Sequence, residues 1–323
     1  MLLAHLIRTR QSGQSRADAQ LDPSCFGLPV YLAYALYPPL YIAGPISSFN
    51  NFAHQIYHPD SPSLTKVCHY GLRLLGCLLA LEVLTHTIYA NAIAKYRLWH
   101  QLQLWGAARF SPLDLSTIGF WVLMFMWLKF LVIWRFFRLW SLADGIDAPE
   151  NMTRCLCNNY DIEGFWKNWH ASYNLWLVRY IYIPLGGARW RALNVWAIFT
   201  FVGLWHDLEW KLVSWAWIMC LFIGAEMAAK LLSKHRAMAP LKRNGWFRHL
   251  AAVVACSNVL ALMTANMVGF VLGVDGISDY LHGIFSDVKS VCIIFAAIFS
   301  TVQVMFEMRE YELHEQRRVC PVA

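Results

Sequence analysis

Long apolar segments alternate with short polar segments along most of the chain. A membrane-spanning α-helix needs about 20 mostly apolar residues. Five segments approach or exceed that length, and we predict a spanning helix in each of them: residues 72–93, 113–134, 212–232, 249–274 and 290–306. A sixth apolar segment, at residues 192–206, carries no charge but is short. The pattern therefore predicts a polytopic, all-α membrane protein.

The region before these spans is also apolar, but it is interrupted. It carries no charged residue between Asp22 and Asp60. The interrupting residues are Pro29, Pro38, Pro39, Gly44 and Pro45. Proline removes a backbone hydrogen bond from a helix interior, so this region should not form one regular helix. We predict one irregular span or two half-spans, followed by an interfacial stretch at residues 49–58.

Composition supports the membrane assignment. Hydrophobic residues make up 58% of the 323 residues and charged residues only 15%, whereas soluble domains average about 25% charged residues. These values exclude a disordered, a collagen-like and a disulfide-scaffold chain. The net charge is +7. Because the cations lie between apolar segments instead of forming a basic stripe, we expect no nucleic-acid partner.

The polar segments predict the organisation and orientation of the chain. We predict an N-terminal polar segment, frayed or truncated, at residues 1–27, a membrane domain at 28–306 and a short cytosolic tail at 307–323. Residues 230–248 hold six Lys or Arg residues and no acidic residue. By the positive-inside rule, this loop faces the cytosol. The acidic loop that follows the next span, at residues 275–289, then faces the lumen.

The first segment with candidate chemistry lies at residues 164–187. Four polar residues at helical spacing share one predicted face: Glu163, Lys167, His170 and Asn174. Aromatic residues share the other face: Phe165, Trp169, Tyr173, Trp176 and Tyr180. We predict an interfacial helix whose polar face lines a water-filled vestibule, with Pro184 ending it so that the backbone can turn or re-enter. The alternative is an ordinary interfacial aromatic belt with a Lys side chain that reaches the headgroups.

The second such segment is the apolar stretch 192–206, which ends on His206 and is followed by Asp207. An ionisable group at membrane depth is costly and usually faces a cavity or a partner. Neutral histidine is the least costly of these groups, and desolvation lowers its pKa and keeps it a base. His206 is therefore a candidate general base. The alternative is that it is only the first residue of a short hairpin loop.

Several common catalytic motifs are absent from the sequence. It contains no G-x-S-x-G nucleophile elbow and no Walker A or G-x-G-x-x-G phosphate loop. It also lacks an H-E-x-x-H motif, and its nine cysteines lack metal-binding or redox spacing, so we predict no metal site. The candidate catalytic residues are the histidines of the two polar segments, His170 and His206.

Two motifs resemble the hallmarks of the membrane-bound O-acyltransferase (MBOAT) family. One is Phe165-Trp-Lys-Asn-Trp-His170 followed by Arg179-Tyr-Ile-Tyr-Ile-Pro-Leu-Gly-Gly187, and the other is Leu204-Trp-His206. The segment from Tyr37 to Asn50 is also similar to the family, and the resemblance covers residues 28–306. The resemblance is strongest to the Gup (glycerol-uptake) branch, since the related Hedgehog acyltransferases typically have Asp where this sequence has His170.

The resemblance implies an all-α MBOAT fold with interfacial and re-entrant helices around a central tunnel. It implies transfer of a long acyl chain from acyl-CoA, a co-substrate without a bound cofactor, to a hydroxyl of a lipid acceptor. In the Gup branch that acceptor is a lyso-glycosylphosphatidylinositol (lyso-GPI) lipid or lysophospholipid, within anchor remodelling in the endoplasmic reticulum membrane. The resemblance places His206 at the reaction centre with His170 beside it. We assign substrate contacts to five further residues: Asn174, Lys167, Trp169, Arg179 and Trp205.

Two other functions stay open at this point, a non-catalytic MBOAT homologue that regulates protein palmitoylation and a glycerol transporter. Transporters often contain internal repeats with paired broken helices, and the sequence shows neither. A non-catalytic homologue should have lost one hallmark histidine, yet both are present. Gup-type proteins have further spans before the segment that begins at Leu28, so we expect the sequence to be truncated at its N-terminus.

Overall fold

The computed structural model describes residues 15–59, 62–96, 98 and 110–319, and all regular secondary structure in these ranges is helical. The α-helices are α1 Leu28–Ala35, α2 Pro38–Tyr41, α3 Phe49–Tyr57, α4 Leu64–Ile88, α5 Ala90–Lys95, α6 Pro112–Ala143, α7 Ile162–Asn168, α8 Ala171–Leu177, α9 Arg191–His206, α10 Trp210–Lys234, α11 Ala239–Lys242, α12 Trp246–Met267, α13 Gly273–Phe285 and α14 Val288–Val319. Short 3₁₀- or π-helical turns lie at Pro23–Phe26, Leu156–Asn158, Val178–Tyr182, Gly187–Trp190, Arg236–Met238 and Val268–Leu272.

Five helical segments within the described ranges are long and apolar enough to cross a membrane. They are α4, α6, α10, the segment Trp246–Phe285 that joins α12 to α13, and residues Val288–Arg318 of α14. The prediction of an all-α, polytopic membrane protein is confirmed. Helix α9 has 16 residues, which is below the usual length of about 20 residues for a span.

Helices α6 and α14 continue well past the predicted C-terminal ends of their spans, and charged residues in these extensions pair with other parts of the protein. The sequence predicts an end at residue 134, yet α6 continues to Ala143. Within this extension the buried Arg138 donates to the Ala148 carbonyl at 2.8 Å and pairs with Asp147 at 3.0 Å. Likewise α14 continues past residue 306 into the predicted tail, where Glu312 accepts two hydrogen bonds from Arg154.

The predicted lumenal loop at residues 275–289 is wrong in its secondary structure, because most of it is helix α13. A π-helical turn precedes α13, and the first residue of α13, Gly273, has a φ of 74°. A residue that carries a side chain is strained at such a positive φ, so glycine suits this position. Tyr280 of α13 is buried together with Leu115 of α6 and Met267 of α12. The helix therefore packs back onto the spans instead of extending from them.

The interrupted N-terminal region forms short helices. Helices α1, α2 and α3 have 8, 4 and 9 residues, so none of them reaches the length of a span. The predicted interfacial stretch corresponds to α3, in which the Ser48 hydroxyl accepts a hydrogen bond from the Asn51 amide at 3.3 Å. Phe52 and Ala53 of α3 are buried, which fixes one face of this helix against the rest of the protein.

The largest buried hydrophobic cluster in the described ranges joins α7, α8, α9, α10 and α12. It includes residues that contact the rings of the two candidate histidines. Trp215 of α10 is fully buried at its centre. Gly203 allows α9 to approach α10 closely, since an ideal Cβ there would lie 3.1 Å from both the Ala216 Cβ and the Leu212 carbonyl oxygen. Helices α9 and α10 thus form a tight hairpin that carries His206 at its turn.

Candidate active site

The predicted single helix through His170 is in fact two helices, α7 and α8, separated at Trp169 and His170. His170 has a φ of 45° and a ψ of 52°, a left-handed conformation that is uncommon outside glycine. Because the helix breaks there, Glu163 and Lys167 on α7 do not share a continuous helical face with Asn174 on α8. The prediction of one polar face is therefore wrong.

A buried asparagine from the preceding loop holds this turn. The Asn151 carbonyl oxygen accepts the Ala171 amide at 3.0 Å. The Asn151 side-chain oxygen accepts both the amide of Ser172 at 3.1 Å and its hydroxyl at 2.6 Å. In addition, Ser172 Oγ accepts the Ile46 amide at 2.8 Å. These bonds satisfy the first amides of α8 that a continuous helix would have bonded to α7. They fix the backbone directly after His170.

The His170 ring lies in an aromatic environment. It stacks on Trp134 of α6 at 4.5 Å between ring centroids, and Tyr173 lies 5.1 Å away on its own helix. Burial, with a smaller contribution from His206, lowers the pKa of His170 to about 4. The ring is therefore neutral near pH 7 and has one N–H donor and one acceptor nitrogen.

His206 is the last residue of α9, at the turn of the α9–α10 hairpin. Its ring meets Trp215 and Phe270 edge-on, at 5.6 and 5.5 Å between centroids. Phe270 also packs edge-on against Trp215 at 5.1 Å. The side chain is nevertheless exposed in the isolated chain. His206 is thus oriented by aromatic rings on one side and accessible on another.

Trp205 joins the two histidines into one cluster. Its ring stacks on Tyr173 at 4.6 Å, lies 6.5 Å from His170 and 5.0 Å from the adjacent His206 ring. The structure therefore brings together three residues that the sequence assigns to the site, although His170 and His206 are far apart along the chain.

Tyr173 is a candidate site residue that the sequence-based prediction did not assign to the site. It was named only as a member of the aromatic face of the predicted helix. Its side chain is buried, and its hydroxyl has no hydrogen-bond partner among the described residues. Burial raises the pKa of Tyr173 to about 12, so the hydroxyl keeps its proton. An unpaired buried hydroxyl is costly, and the ring that carries it packs against both His170 and Trp205. Its position one helical turn from His170 was the available signal in the sequence.

The charged residues of α7 belong to a surface ion-pair cluster. Glu163 pairs with Lys167 at 2.8 Å, with Arg191 at 2.9 Å and with Lys230 at 3.3 Å. Burial opposes the charge of Glu163, but the hydrogen bond from Lys167 and the nearby cations hold its pKa at about 2. Lys167 is 57% exposed in this cluster. Arg191 begins α9 and Lys230 lies near the end of α10. The ion pairs of Glu163 therefore join α7 to both helices of the α9–α10 hairpin.

A cavity of about 610 Å³, lined by both charged and apolar side chains, lies beside α8. Basic side chains outnumber carboxylates around it: Arg16, Lys66, Arg73, Arg138 and Arg179 against Asp18, Asp147 and Glu150. Arg179 is the predicted substrate contact that lines this cavity, where it also pairs with Asp18. The cavity reaches Ala171 and Ser172, which directly follow His170, but neither histidine lines it.

The other predicted contacts lie outside this cavity. Trp169 packs on Phe165 at 5.6 Å and on Trp134 at 6.0 Å. The Asn174 amide donates to the His170 carbonyl at 3.0 Å. Within the part of the chain that the structure describes, no group of three or more His, Cys, Asp and Glu side chains is placed to hold a metal ion.

Known proteins are similar to this chain over most of its length. The sequence profile of the MBOAT, membrane-bound O-acyltransferase family, matches residues 3–273. Membrane-bound O-acyltransferase gup1 of Schizosaccharomyces pombe is 41% identical over 304 residues, and these cover 92% of this chain and 50% of that protein. Membrane-bound O-acyltransferase GUP1 of Saccharomyces cerevisiae is 43% identical over 291 residues, with 89% and 50% covered.

A more distant similarity extends to the mouse protein named protein-cysteine N-palmitoyltransferase HHAT. It is 28% identical over 290 residues, which cover 83% of this chain and 55% of that protein. The chain spans about half the length of the curated relatives that it matches.

Proposed function

The chain belongs to the membrane-bound O-acyltransferase family, and we propose that it carries the reaction centre for transfer of a long acyl chain from acyl-CoA to a hydroxyl of a lipid acceptor. The observation that supports this proposal best is the convergence of His170, Tyr173, Trp205 and His206 in one aromatic cluster. The cluster combines a base with hydrogen-bond donors in an apolar setting, which is what acyl transfer from a thioester requires.

In the proposed reaction, the neutral ring of His206 accepts the proton of the acceptor hydroxyl while the hydroxyl oxygen attacks the thioester carbonyl carbon. The tetrahedral intermediate then collapses, the carbon–sulfur bond breaks, and the protonated His206 returns the proton to the CoA thiolate. General base catalysis of this kind contributes about 10²–10⁴-fold to a rate. His206 is assigned this role because it is the accessible histidine of the two.

His170 and Tyr173 are the donors available to the developing oxyanion. Neutral His170 has one ring N–H, and the Tyr173 hydroxyl is buried without a hydrogen-bond partner in the described ranges. Donors that are fixed before the reaction stabilise the negative charge without reorganisation. The hydrogen bonds of Asn151 to the two residues after His170 support this fixation.

The cation-rich cavity beside α8 is the proposed position of the CoA phosphates. Its excess of basic side chains favours a polyanion, and Arg179 is the sequence-assigned contact within it. Ala171 and Ser172 line the cavity, so a donor bound there can have its thioester end next to the turn that carries His170. Acyl-CoA is thus proposed as the co-substrate.

For the acceptor, we propose a lyso-GPI lipid or a lysophospholipid in the endoplasmic reticulum membrane. The support is the similarity to the Gup branch, to which the relatives at 41% and 43% identity belong by name. The relative named as a protein-cysteine N-palmitoyltransferase is only 28% identical. A lipid hydroxyl is accordingly favoured over a protein amine.

The test compares the chain purified into lipid nanodiscs with its His206→Ala variant, given radiolabelled palmitoyl-CoA and either lyso-GPI or lysophosphatidylinositol. We expect a loss of at least about 100-fold in acyl transfer, the lower end of the contribution of a general base. The matched control is His314→Ala, since His314 is exposed on the C-terminal turns of α14, far along the chain from the cluster.

Equal transfer by wild type and His206→Ala would remove His206 from the mechanism. Absence of transfer by the folded wild type would contradict a complete reaction centre in this chain and would favour the regulatory function. Glycerol uptake into vesicles that contain the chain, without acyl transfer, would favour a transporter.

A further inference from the structure

A second cavity of about 790 Å³ lies between the spans α4 and α6, and we call it the α4–α6 groove. Most of its lining residues are apolar and come from one face of each helix: Leu79, Ala80, Val83, Leu84 and Ile88 of α4, and Trp121, Met124, Leu128 and Leu131 of α6. Several residues on the outer face of α4 are exposed in the isolated chain, among them Leu75 and Leu78. The groove therefore lies where the hydrocarbon of a bilayer meets the protein.

One end of the groove is basic. Arg73, Arg135 and Arg154 line it. Arg154 is paired with Glu312 at 2.8 Å, and Arg135 lies 3.9 Å from Glu150. Arg73 is different, because it forms no ion pair within the described ranges and contacts only the face of the Tyr70 ring, at 5.4 Å. A guanidinium at the edge of an apolar groove without a carboxylate is an anion-binding group.

Two further donors in the groove lack acceptors. The Arg135 Nε–H and the Trp127 indole N–H are buried and make no hydrogen bond with any described residue. Both residues line the groove. Buried donors without acceptors are rare, and one explanation for them is an unobserved ligand that supplies the oxygen atoms. The Arg135 Nε is the atom that lies 3.9 Å from Glu150, beyond hydrogen-bond distance. The groove thus combines an apolar channel with one cation that forms no ion pair in the described ranges and with the Trp127 indole N–H, which makes no hydrogen bond there.

The α4–α6 groove is separate from the aromatic cluster of the proposed reaction centre. Neither His170 nor His206 lines it. The nearest connection is along α6, where Leu131 lines the groove and Trp134, less than one turn further, stacks on His170. Arg73 and Thr153 line both the groove and the cavity beside α8. The basic end of the groove therefore adjoins that cavity.

We propose that the α4–α6 groove binds an anionic glycerophospholipid of the surrounding bilayer, with its phosphate on Arg73 and an acyl chain between α4 and α6. A phosphate matches a guanidinium in charge and geometry, and the ester oxygens of a glycerophospholipid are acceptors that an apolar chain alone lacks. The apolar lining favours a lipid over a fully soluble anion. This binding site goes beyond the proposed acyl transfer. Because Arg73 also lines the cavity proposed for the CoA phosphates, the test measures retained lipid and not acyl transfer.

Two variants test the two halves of the site. Arg73→Ala removes the cation. Gly76→Leu fills the groove, since Gly76 lines it and an ideal Cβ there meets no atom within 4 Å. Leucine is also a better helix former than glycine, so the variant should fold. The matched controls are Arg236→Ala, an exposed arginine of the loop after α10, and Gly224→Leu, a glycine of α10 that also has open space around it.

The measurement is native mass spectrometry of the whole chain released from detergent micelles that contain equal amounts of phosphatidylinositol and phosphatidylcholine. We expect wild type and both controls to retain phosphatidylinositol preferentially. We expect each test variant to retain about tenfold less, the effect of losing roughly 1.4 kcal/mol of binding.

Three results would overturn the proposal. Equal retention by Arg73→Ala and wild type would show that the cation does not bind the headgroup. Equal retention of the two lipids by wild type would show that charge does not select the occupant. Displacement of the lipid by inorganic phosphate, without any effect of Gly76→Leu, would assign the basic end to a free anion instead of a lipid.

Discussion

His170 and His206 lie in one cluster, but different forces hold them. The turn at His170 is fixed by directional hydrogen bonds from the buried Asn151 to residues 171 and 172. At the hairpin corner after His206, the Asp207 carboxylate accepts the Leu208 amide at 2.7 Å, a bond local to the turn that ties it to no other element. The corner is fixed by close helix packing at Gly203 and by contacts of the His206 ring with Trp215 and Phe270.

This difference shows how hydrogen bonds and close packing together specify one site. Hydrogen bonds can impose an uncommon backbone conformation such as that of His170, because each bond fixes a direction as well as a distance. Packing fixes where a rigid helix end lies, because close-packed interiors tolerate neither gaps nor added atoms. The two halves of the cluster should therefore respond to different substitutions.

The largest effect is expected from overpacking the His206 side. In Gly269→Val the new side chain would begin 2.7 Å from Trp215 Cγ, and Trp215 is fully buried and cannot move aside. We expect a loss of about 1–3 kcal/mol in stability and no measurable acyl transfer. Thermal unfolding in detergent and the palmitoyl-CoA assay measure the two effects. Gly224→Val, with open space around it, should retain both properties, and loss in this control would refute the packing explanation.

The next effect is expected from removing the hydrogen bonds on the His170 side. Asn151→Ala leaves buried donors of Ser172 without an acceptor, which costs about 1–3 kcal/mol. We expect acyl transfer to fall further than stability alone explains, because the His170 turn loses its support. Asn159→Ala is the matched control, since it removes another largely buried asparagine that bonds the Cys155 carbonyl at 2.9 Å. Equal loss of activity in both folded variants would contradict a positioning role for Asn151.

The third prediction concerns pH. The pKa of His170 is lowered to about 4, so its neutral form persists well below the usual histidine value of about 6.5. Protonation places a cation in the cluster only as the pH falls through about 4. We expect the ratio of acyl transfer by wild type to that by His170→Gln to stay constant between pH 5 and 7, because the charge of His170 changes only below this range. A difference between the wild-type and His170→Gln pH profiles that already develops near pH 6.5 would show an ordinary pKa.

The smallest effect is expected at Tyr173. Tyr173→Phe keeps the ring stacked on Trp205 but removes the hydroxyl that has no partner among the described residues. We expect stability to stay unchanged or to rise slightly, while acyl transfer falls about tenfold. This is less than the roughly 10²–10³-fold cost of losing a principal oxyanion donor, because His170 remains as a donor. Unfolding temperature and the kcat of transfer separate the two. A folded variant with undiminished kcat would exclude the hydroxyl from the reaction.

Much of the architecture could be predicted from the sequence, because the membrane imposes a simple requirement on apolar length. The spans were located this way, although α6 extends past Arg138 and α14 past residue 306. Each extension carries a charged residue whose partner lies outside the predicted span, as Arg154 does for Glu312. The composition of a single segment does not reveal such pairs.

The sequence alone determined the all-α membrane class, the family, and the two histidines as candidates, since these depend on residue type and local spacing. Only the tertiary structure decided that the helix breaks at His170, that Trp205 joins the histidines, and that Lys167 lies in a surface ion-pair cluster. The physical reason is the separation along the chain between the residues that contact one another. The bonds of Asn151 and the contacts of Trp134 come from elements far along the chain, and helical periodicity carries information only about neighbours within a few turns.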